Sequence, residues 1–213
     1  MTVFRMTFSG MMALLLPTPS FLLNLDQWLL LWINHHHTPA LDALMTLASN
    51  RLVWFPAYAL LLGWLGWRFR ARAWPLVLLL GLAVALADSI TSRLFKPLFG
   101  RLRPCHAPGL AGQLYLPDGC GGQFGFLSSH AANSFALAVF LALVLPGGGR
   151  RLRLFKLLMF GWAALLSYSR VYLGAHYPSD VLGGALVGAL LAGGAATLFR
   201  RWDERGRLLK KRG

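Results

Sequence analysis

A chain of 213 residues that is 56% hydrophobic and 13% charged, with a mean hydropathy of +0.55, is far more apolar than a soluble domain, which averages about 45–50% apolar and about 25% charged. It reads as an integral membrane protein. The net charge of +14 points away from nucleic acid by its distribution: fourteen of the 21 basic residues form three short clusters beside apolar runs, without a basic face interleaved with aromatics.

A membrane helix needs about 20 mainly apolar residues. Residues 11–34 are apolar but interrupted by Pro17, Pro19 and Asp26, so a membrane-associated helix, spanning or interfacial, is expected there. Arg5 is the one early basic residue and no small-x-small cleavage site precedes Asp26, so this segment is expected to be retained rather than cleaved as a signal peptide. His35, His36 and His37 are adjacent, which on an extended chain alternates their sides; a polar turn is expected rather than a metal site.

The next expected span, 44–67, contains Asn50 and Arg51, which must face protein, water or the interface. Arg68, Arg70 and Arg72 follow, then a span over 74–95. Residues 96–128 form a long polar connection rich in Gly and Pro, a length that usually carries function. Residues 129–145 make a span with a polar first turn, stopped by Pro146-Gly147-Gly148-Gly149. The second basic cluster (Arg150, Arg151, Arg153, Lys156) precedes spans over 154–173 and 181–199. Gly184 and Gly188 stand at GxxxG spacing, followed by Gly193 and Gly194, all expected to admit a close neighbouring backbone. The third cluster runs from Arg200 through Arg201, Arg205, Arg207, Lys210 and Lys211 to Arg212.

With the three clusters in the cytoplasm, the chain crosses about six times with both ends inside, and the 96–128 and His176 loops emerge together outside. The fold class is thus all-α, a polytopic membrane helix bundle in a single domain over 1–213, with a basic cytoplasmic tail at 200–213. Cys105 and Cys120 both fall in the outer loop. A disulfide is favoured there over a metal set with His106, which lacks a CxxC pair.

Three polar stretches meet at that face. Lys96, Arg101 and Arg103 put three cations into eight residues; Ser128, Ser129 and His130 open a helix; Arg170, His176 and Asp180 lie between two apolar runs. Ionisable groups at the rim of membrane helices are a functional hypothesis by default. Cations with hydroxyls at a helix N-terminus suit a dense anion, phosphate above all, and two imidazoles add acid and base capacity.

These residues resemble the type-2 phosphatidic acid phosphatase superfamily, which also includes vanadium haloperoxidases. Lys96 to Pro104 matches its Lys, six residues, Arg-Pro element. Ser169 to Asp180 matches its Ser-Arg, five residues, His, three residues, Asp element. The middle Pro-Ser-Gly-His element departs, with Leu127 for Pro and Ser129 for Gly, while Ser128 and His130 remain. The likeness covers about residues 40–200 and is strongest to short bacterial lipid phosphatases of the inner membrane.

The resemblance implies that His176 is the nucleophile, oriented by Asp180, and that His130 protonates the leaving group. Lys96, Arg103 and Arg170, with Ser128 and the backbone of Ser129, would bind the phosphate, and the scheme needs no metal or cofactor. Arg101 falls outside the matched positions and is a secondary candidate, either a contact to a second phosphate or a headgroup, or a solvated loop arginine. Asp88 sits in an apolar run eight residues before Lys96, roughly on its helical face. It is read either as a buried partner for a site cation or as a structural aspartate.

The expected activity is hydrolysis of a membrane lipid phosphate or diphosphate: undecaprenyl diphosphate, phosphatidylglycerophosphate, phosphatidate or a lipid A phosphate. The site is expected to face the periplasm across a bacterial inner membrane. The bilayer and its lipid substrate are the expected partners, with no nucleic acid and no obligatory protein partner. A lipid phosphotransferase using the same site and a non-catalytic lipid-binding or transport protein are the alternatives. Vanadium peroxidase chemistry is disfavoured by the absence of a large soluble scaffold.

Overall fold

A computed structural model describes the backbone of residues 20–212 except Pro146 and Gly148, with side chains over 21–204. Residues 11–19 of the first expected segment and the tail side chains after Glu204 lie outside the described residues. The protein is a membrane bundle of α-helices: α1 (Ser20–His35), α2 (Pro39–Ser49), α3 (Phe55–Phe69), α4 (Ala73–Ser89), α5 (Ser129–Val144), α6 (Arg150–Tyr172) and α7 (Pro178–Arg212). Three continuous stretches are long and apolar enough to cross a bilayer: Arg51–Phe99, Arg150–Tyr172 and Pro178–Glu204. Ser129–Val144 is a shorter apolar helix.

The first of these stretches is a hairpin rather than a rod. Arg70 takes a positive φ of 51° and turns the chain back, so that α3 and α4 flank one cavity, with Leu61 and Leu62 facing Leu80 and Gly81. The span expected over 44–67 is likewise two helices. Asn50 leaves the helical region at ψ 115° and its Oδ1 accepts the Leu52 N–H at 2.9 Å, ending α2 and capping a short 3₁₀ turn. An Asn side chain that can bond its own backbone offers an alternative to the helical ladder, and here it prevails.

Beyond Ser89 the helix widens into a π-helical turn, Ile90–Phe95. A single α-turn, Lys96–Phe99, follows and stops at Gly100 in the left-handed region (φ 57°). Such a turn rotates the residues after it and is frequent at functional sites. It presents Lys96 to the same cavity as Asp88 and Ser92.

Helices α5 and α7 form the central seam and run parallel. A Cβ on Gly184 would meet the Ser128 carbonyl, and one turn later a Cβ on Gly188 would collide with the Ala132 carbonyl. Helix association in lipid rests on such close packing rather than on burial from water. Ala131, Ala132, Ala136, Ala192 and Ala196 complete the seam, each fully buried. Gly193 and Gly194 do not belong to it: nothing lies within 4 Å of a Cβ at either, so the close approach expected of them is absent. Leucines such as Leu78, Leu157, Leu186 and Leu190 remain exposed, as lipid-facing positions should.

The polar loop between α4 and α5 is pinned over the end of α1, the start of α2 and the end of α6. Buried Asn34 donates to the carbonyls of Tyr115 and Tyr172, each at 2.8 Å, and accepts the Tyr115 N–H at 2.8 Å. Asp42 accepts the Tyr115 and Tyr172 hydroxyls at 2.9 and 2.7 Å. The three histidines form a polar turn: His36 bonds the Trp32 carbonyl and His37 stacks on Tyr115 at 3.9 Å. Cys105 and Cys120 are joined by a disulfide. Both sulfurs are spent in that bond, which removes the thiolates a metal set with His106 would need.

Candidate active site

Each of the three motif stretches is delivered by a different element. Lys96 rides on the turn after the π segment. Arg103 is held extended by the Leu102–Phe124 antiparallel bridge, by its N–H on the Gln123 carbonyl (2.9 Å) and by its Nε on the Phe124 carbonyl (3.3 Å). Gly121 and Gly125 leave room for it: a Cβ at Gly121 would sit 2.6 Å from Arg103 Nη1, and one at Gly125 would lie 3.2 Å from Asp180 Oδ2.

Ser128 caps α5 from an extended conformation, and its N–H donates to the Asp180 carbonyl at 2.9 Å, tying α5 to α7. Its hydroxyl is buried without a partner among the described residues, so it is free to serve a ligand. The Ser129 hydroxyl faces Thr91 at 3.0 Å and Ser92 at 2.8 Å, which leaves its backbone for an anion. Arg170 ends α6, buried; it donates to the Ser49 hydroxyl, its Nη1 is 3.9 Å from Asp118, and its Nε has no partner among the described residues.

His176 and Asp180 are separated by the first turn of α7. Pro178 starts that helix, and Asp180 Oδ2 reaches back to accept the Tyr177 N–H at 3.1 Å. The same oxygen lies 3.5 Å from His176 Nδ1, long for a hydrogen bond but close enough to fix the ring's polarity. The other nitrogen, Nε2, is left for the cavity that His176 lines. Burial pushes the His176 imidazole down to about 4, against the opposing pull of Asp180, so the ring is neutral at physiological pH. Burial likewise pushes the Arg103 guanidinium below its usual value, again opposed by Asp180.

Lys96, Arg103, Ser129, His130 and His176 converge on one cavity of about 780 Å³. Its far wall is apolar, made by Tyr58, Leu61, Val84, Leu137 and Trp162 among others. Arg51 also lines it, a cation that sequence reading placed only as facing protein, water or the interface.

Of the two readings of Asp88, the hydrogen-bonded structural one fits: its Oδ1 accepts from Asn133 Nδ2 at 3.1 Å, joining two helices, and the side chain is exposed into the cavity it shares with Lys96 rather than buried. The expectation for Arg101 requires correction. Arg101 is not a solvated loop residue. Its Nη1 pairs with Asp180 at 2.8 Å and its Nη2 with Asp26 at 2.6 Å, while its guanidinium stacks over Tyr177 at 4.0 Å.

Asp26 is the residue sequence reading missed. It was an interruption in an apolar run, whereas a carboxylate inside such a run is itself a functional signal.

A membrane bundle that gathers cations, a free helix N-terminus and two imidazoles around a half-apolar cavity defines a phosphoric ester hydrolase acting in the membrane. This chain belongs to the PAP2 superfamily, whose family model matches residues 72–204. It is 39% identical over 171 residues to the lipid A 4'-phosphatase of Bacteroides thetaiotaomicron, covering 79% of this chain and 74% of that protein. To the lipid A 4'-phosphatase of Porphyromonas gingivalis it is 30% identical, covering 80% and 71%. The crystal structure of Aquifex aeolicus LpxE superposes with a TM-score of 0.59 at 28% identity, covering 81% of this chain and 95% of that one.

Proposed function

We propose that this chain removes a phosphate monoester from lipid A or a closely related phosphoglycolipid, at the outer face of a bacterial inner membrane. The observation that carries the chemistry is the convergence of Lys96, Arg103, His130 and His176 on a cavity whose other wall is apolar. Such a site takes a phosphate and an acyl chain together. The choice of glycolipid is supported by the 39% identity to a lipid A 4'-phosphatase over most of both chains. The periplasmic orientation is supported by Arg68, Arg72 and Arg200, which meet at the end of α5 and α7 opposite the site.

The phosphate lies against Lys96, Arg103 and Arg170, with the Ser128 hydroxyl and the N–H groups at the start of α5 on its remaining oxygens. The lone pair of His176 Nε2 attacks phosphorus in line with the ester bond. A P–N bond forms, the P–O bond breaks, and His130 donates its proton to the departing sugar oxygen. Asp180 stabilises the positive charge that grows on the imidazole, and the cations and helix N-terminus stabilise the equatorial oxygens. Water then attacks phosphorus and loses its proton to His130, the P–N bond breaks, and inorganic phosphate leaves with His176 neutral again.

The test is a panel of detergent-solubilised lipid A, undecaprenyl diphosphate, phosphatidylglycerophosphate and phosphatidate, assayed for free phosphate with and without chelator. Release from lipid A at the highest kcat/KM, unaffected by chelator and abolished in His176→Ala, is expected. Preference for another lipid overturns the substrate, and phosphate passed to an acceptor instead of released overturns hydrolysis. Turnover by a folded His176→Ala protein overturns the nucleophile.

A further inference from the structure

We propose that Asp26, on α1 and outside the family-matched residues 72–204, is a positioning residue for phosphoryl transfer, acting through Arg101 on Asp180 and thereby on His176. This rests on His176 being the nucleophile. Asp26 and Asp180 are both buried and bracket one guanidinium: Arg101 Nη2 meets Asp26 Oδ2 at 2.6 Å and Nη1 meets Asp180 Oδ1 at 2.8 Å. The remaining Asp180 oxygen is the one that faces His176.

The charge pattern explains why two carboxylates are needed. A lone Arg101 would draw the negative charge of Asp180 towards itself and weaken it as a support for the imidazolium that builds as Nε2 attacks. Asp26 takes a share of the guanidinium, so the negative–positive–negative set presents one net negative charge to His176. Solvent screens little of this, because both carboxylates are out of water.

Asp26 also holds the first turn of α7. Its Oδ1 accepts the Ser179 N–H at 2.9 Å and its Oδ2 the Ser179 hydroxyl at 2.5 Å. The residue immediately before Asp180 is thus fixed to α1. A carboxylate at that helix N-terminus is also favoured by the helix dipole.

A merely structural clamp and a positioning network differ in what they do to pH dependence. His176 is faced by Asp180 from α7, Arg103 from the loop, Arg170 from α6, His130 from α5 and Lys96 from the turn after the π segment. Against that constant surround, Asp26→Asn removes a negative charge and makes the imidazolium harder to form. The acid limb of kcat/KM then moves to lower pH. Arg101→Gln removes a positive charge and moves the same limb to higher pH.

The experiment uses the full-length protein with lipid A in detergent micelles, and with phosphatidate as a second lipid phosphate. For Asp26→Asn a fall in kcat of about 10–100-fold is expected, the range seen when partners behind ligating imidazoles are lost. KM should stay near wild type, and Asp26→Glu should recover most of the rate. An unchanged kcat and acid limb in folded Asp26→Asn overturns the proposal. If that variant fails to fold, Arg101→Gln decides: a limb that stays in place or moves down overturns it. Alkaline-quenched phosphoenzyme from wild type keeps the two readings apart. Label absent from His176 sinks the nucleophile, whereas label on His176 with unperturbed variants sinks only the role of Asp26.

Discussion

Arginines gather at both ends of the helices α5 and α7, and the two ends treat them oppositely. At the end away from the motif residues Arg68, Arg72 and Arg200 share a cavity of about 470 Å³ with Asp203 and Glu204, and Arg72, 48% exposed, meets Asp203 at 3.1 Å. The Arg72 half of that pair is open to solvent, which screens it towards the weak range of surface pairs, about 0–1 kcal/mol. At the motif end Arg170 is buried and, among the described residues, neither its Nε nor the buried Ser128 hydroxyl has a partner. Cations that are desolvated and under-compensated gain most from an anion, so the same residue type becomes part of a binding site.

That contrast is broken most sharply by removing one arginine from each end. Arg170→Ala or Arg103→Ala should lower kcat by about 10²–10³-fold, the scale of a lost transition-state donor. Arg72→Ala should leave kcat within about twofold, and a comparable loss there would erase the distinction. Phosphate-release kinetics on purified protein reads both.

The disulfide and the glycine seam come next. Replacing Cys105 and Cys120 by Ser opens a ring whose ends are 15 residues apart, costing about 3 kcal/mol by the chain-entropy estimate. The loss should appear as a lower Tm and a mobile 96–128 loop with the α5–α7 seam intact. Gly188→Leu should cost about 1–3 kcal/mol or more through overpacking, while Gly193→Leu should leave Tm unchanged. Equal shifts would show that the seam does not depend on close approach at Gly188.

The smallest effect separates the ends by pH. His176 takes up a proton near 6.5 in the unfolded chain but near 4 in the fold. Between those values the unfolded state binds the proton and the folded state does not, so stability is full above about 6.5 and falls as pH drops towards 4. Thermal unfolding of wild type against His176→Gln from pH 7 to pH 4 should show the two curves converge as pH falls. The cavity at the Arg200 end, lined by arginines and carboxylates without histidine, should contribute nothing to that difference.

Membrane class, the apolar runs and the residues of the three motif stretches were legible in the chain, because each is a local matter of composition or short spacing. Helix period alone brings Asp180 back to His176 from four positions on, and Pro178 marks the helix start. The break at Asn50 was not read from the chain, where Asn50 stood inside one expected span over 44–67; its side chain bonds its own backbone instead of continuing the helix. The GxxxG pair was legible as packing, yet Gly184 and Gly188 look no different in sequence from Gly193 and Gly194; only the neighbouring helix separates them.

Three things were decided by tertiary structure alone. Arg101 meets Asp26 across 75 residues and Asp180 across 79, Asp88 meets Asn133 across 45, and the free hydroxyl of Ser128 depends on which neighbours fail to reach it. Ion pairs and orphaned donors are properties of how helices come together, and hydrophobic periodicity records only which face of each helix turns inward, not which polar group waits there.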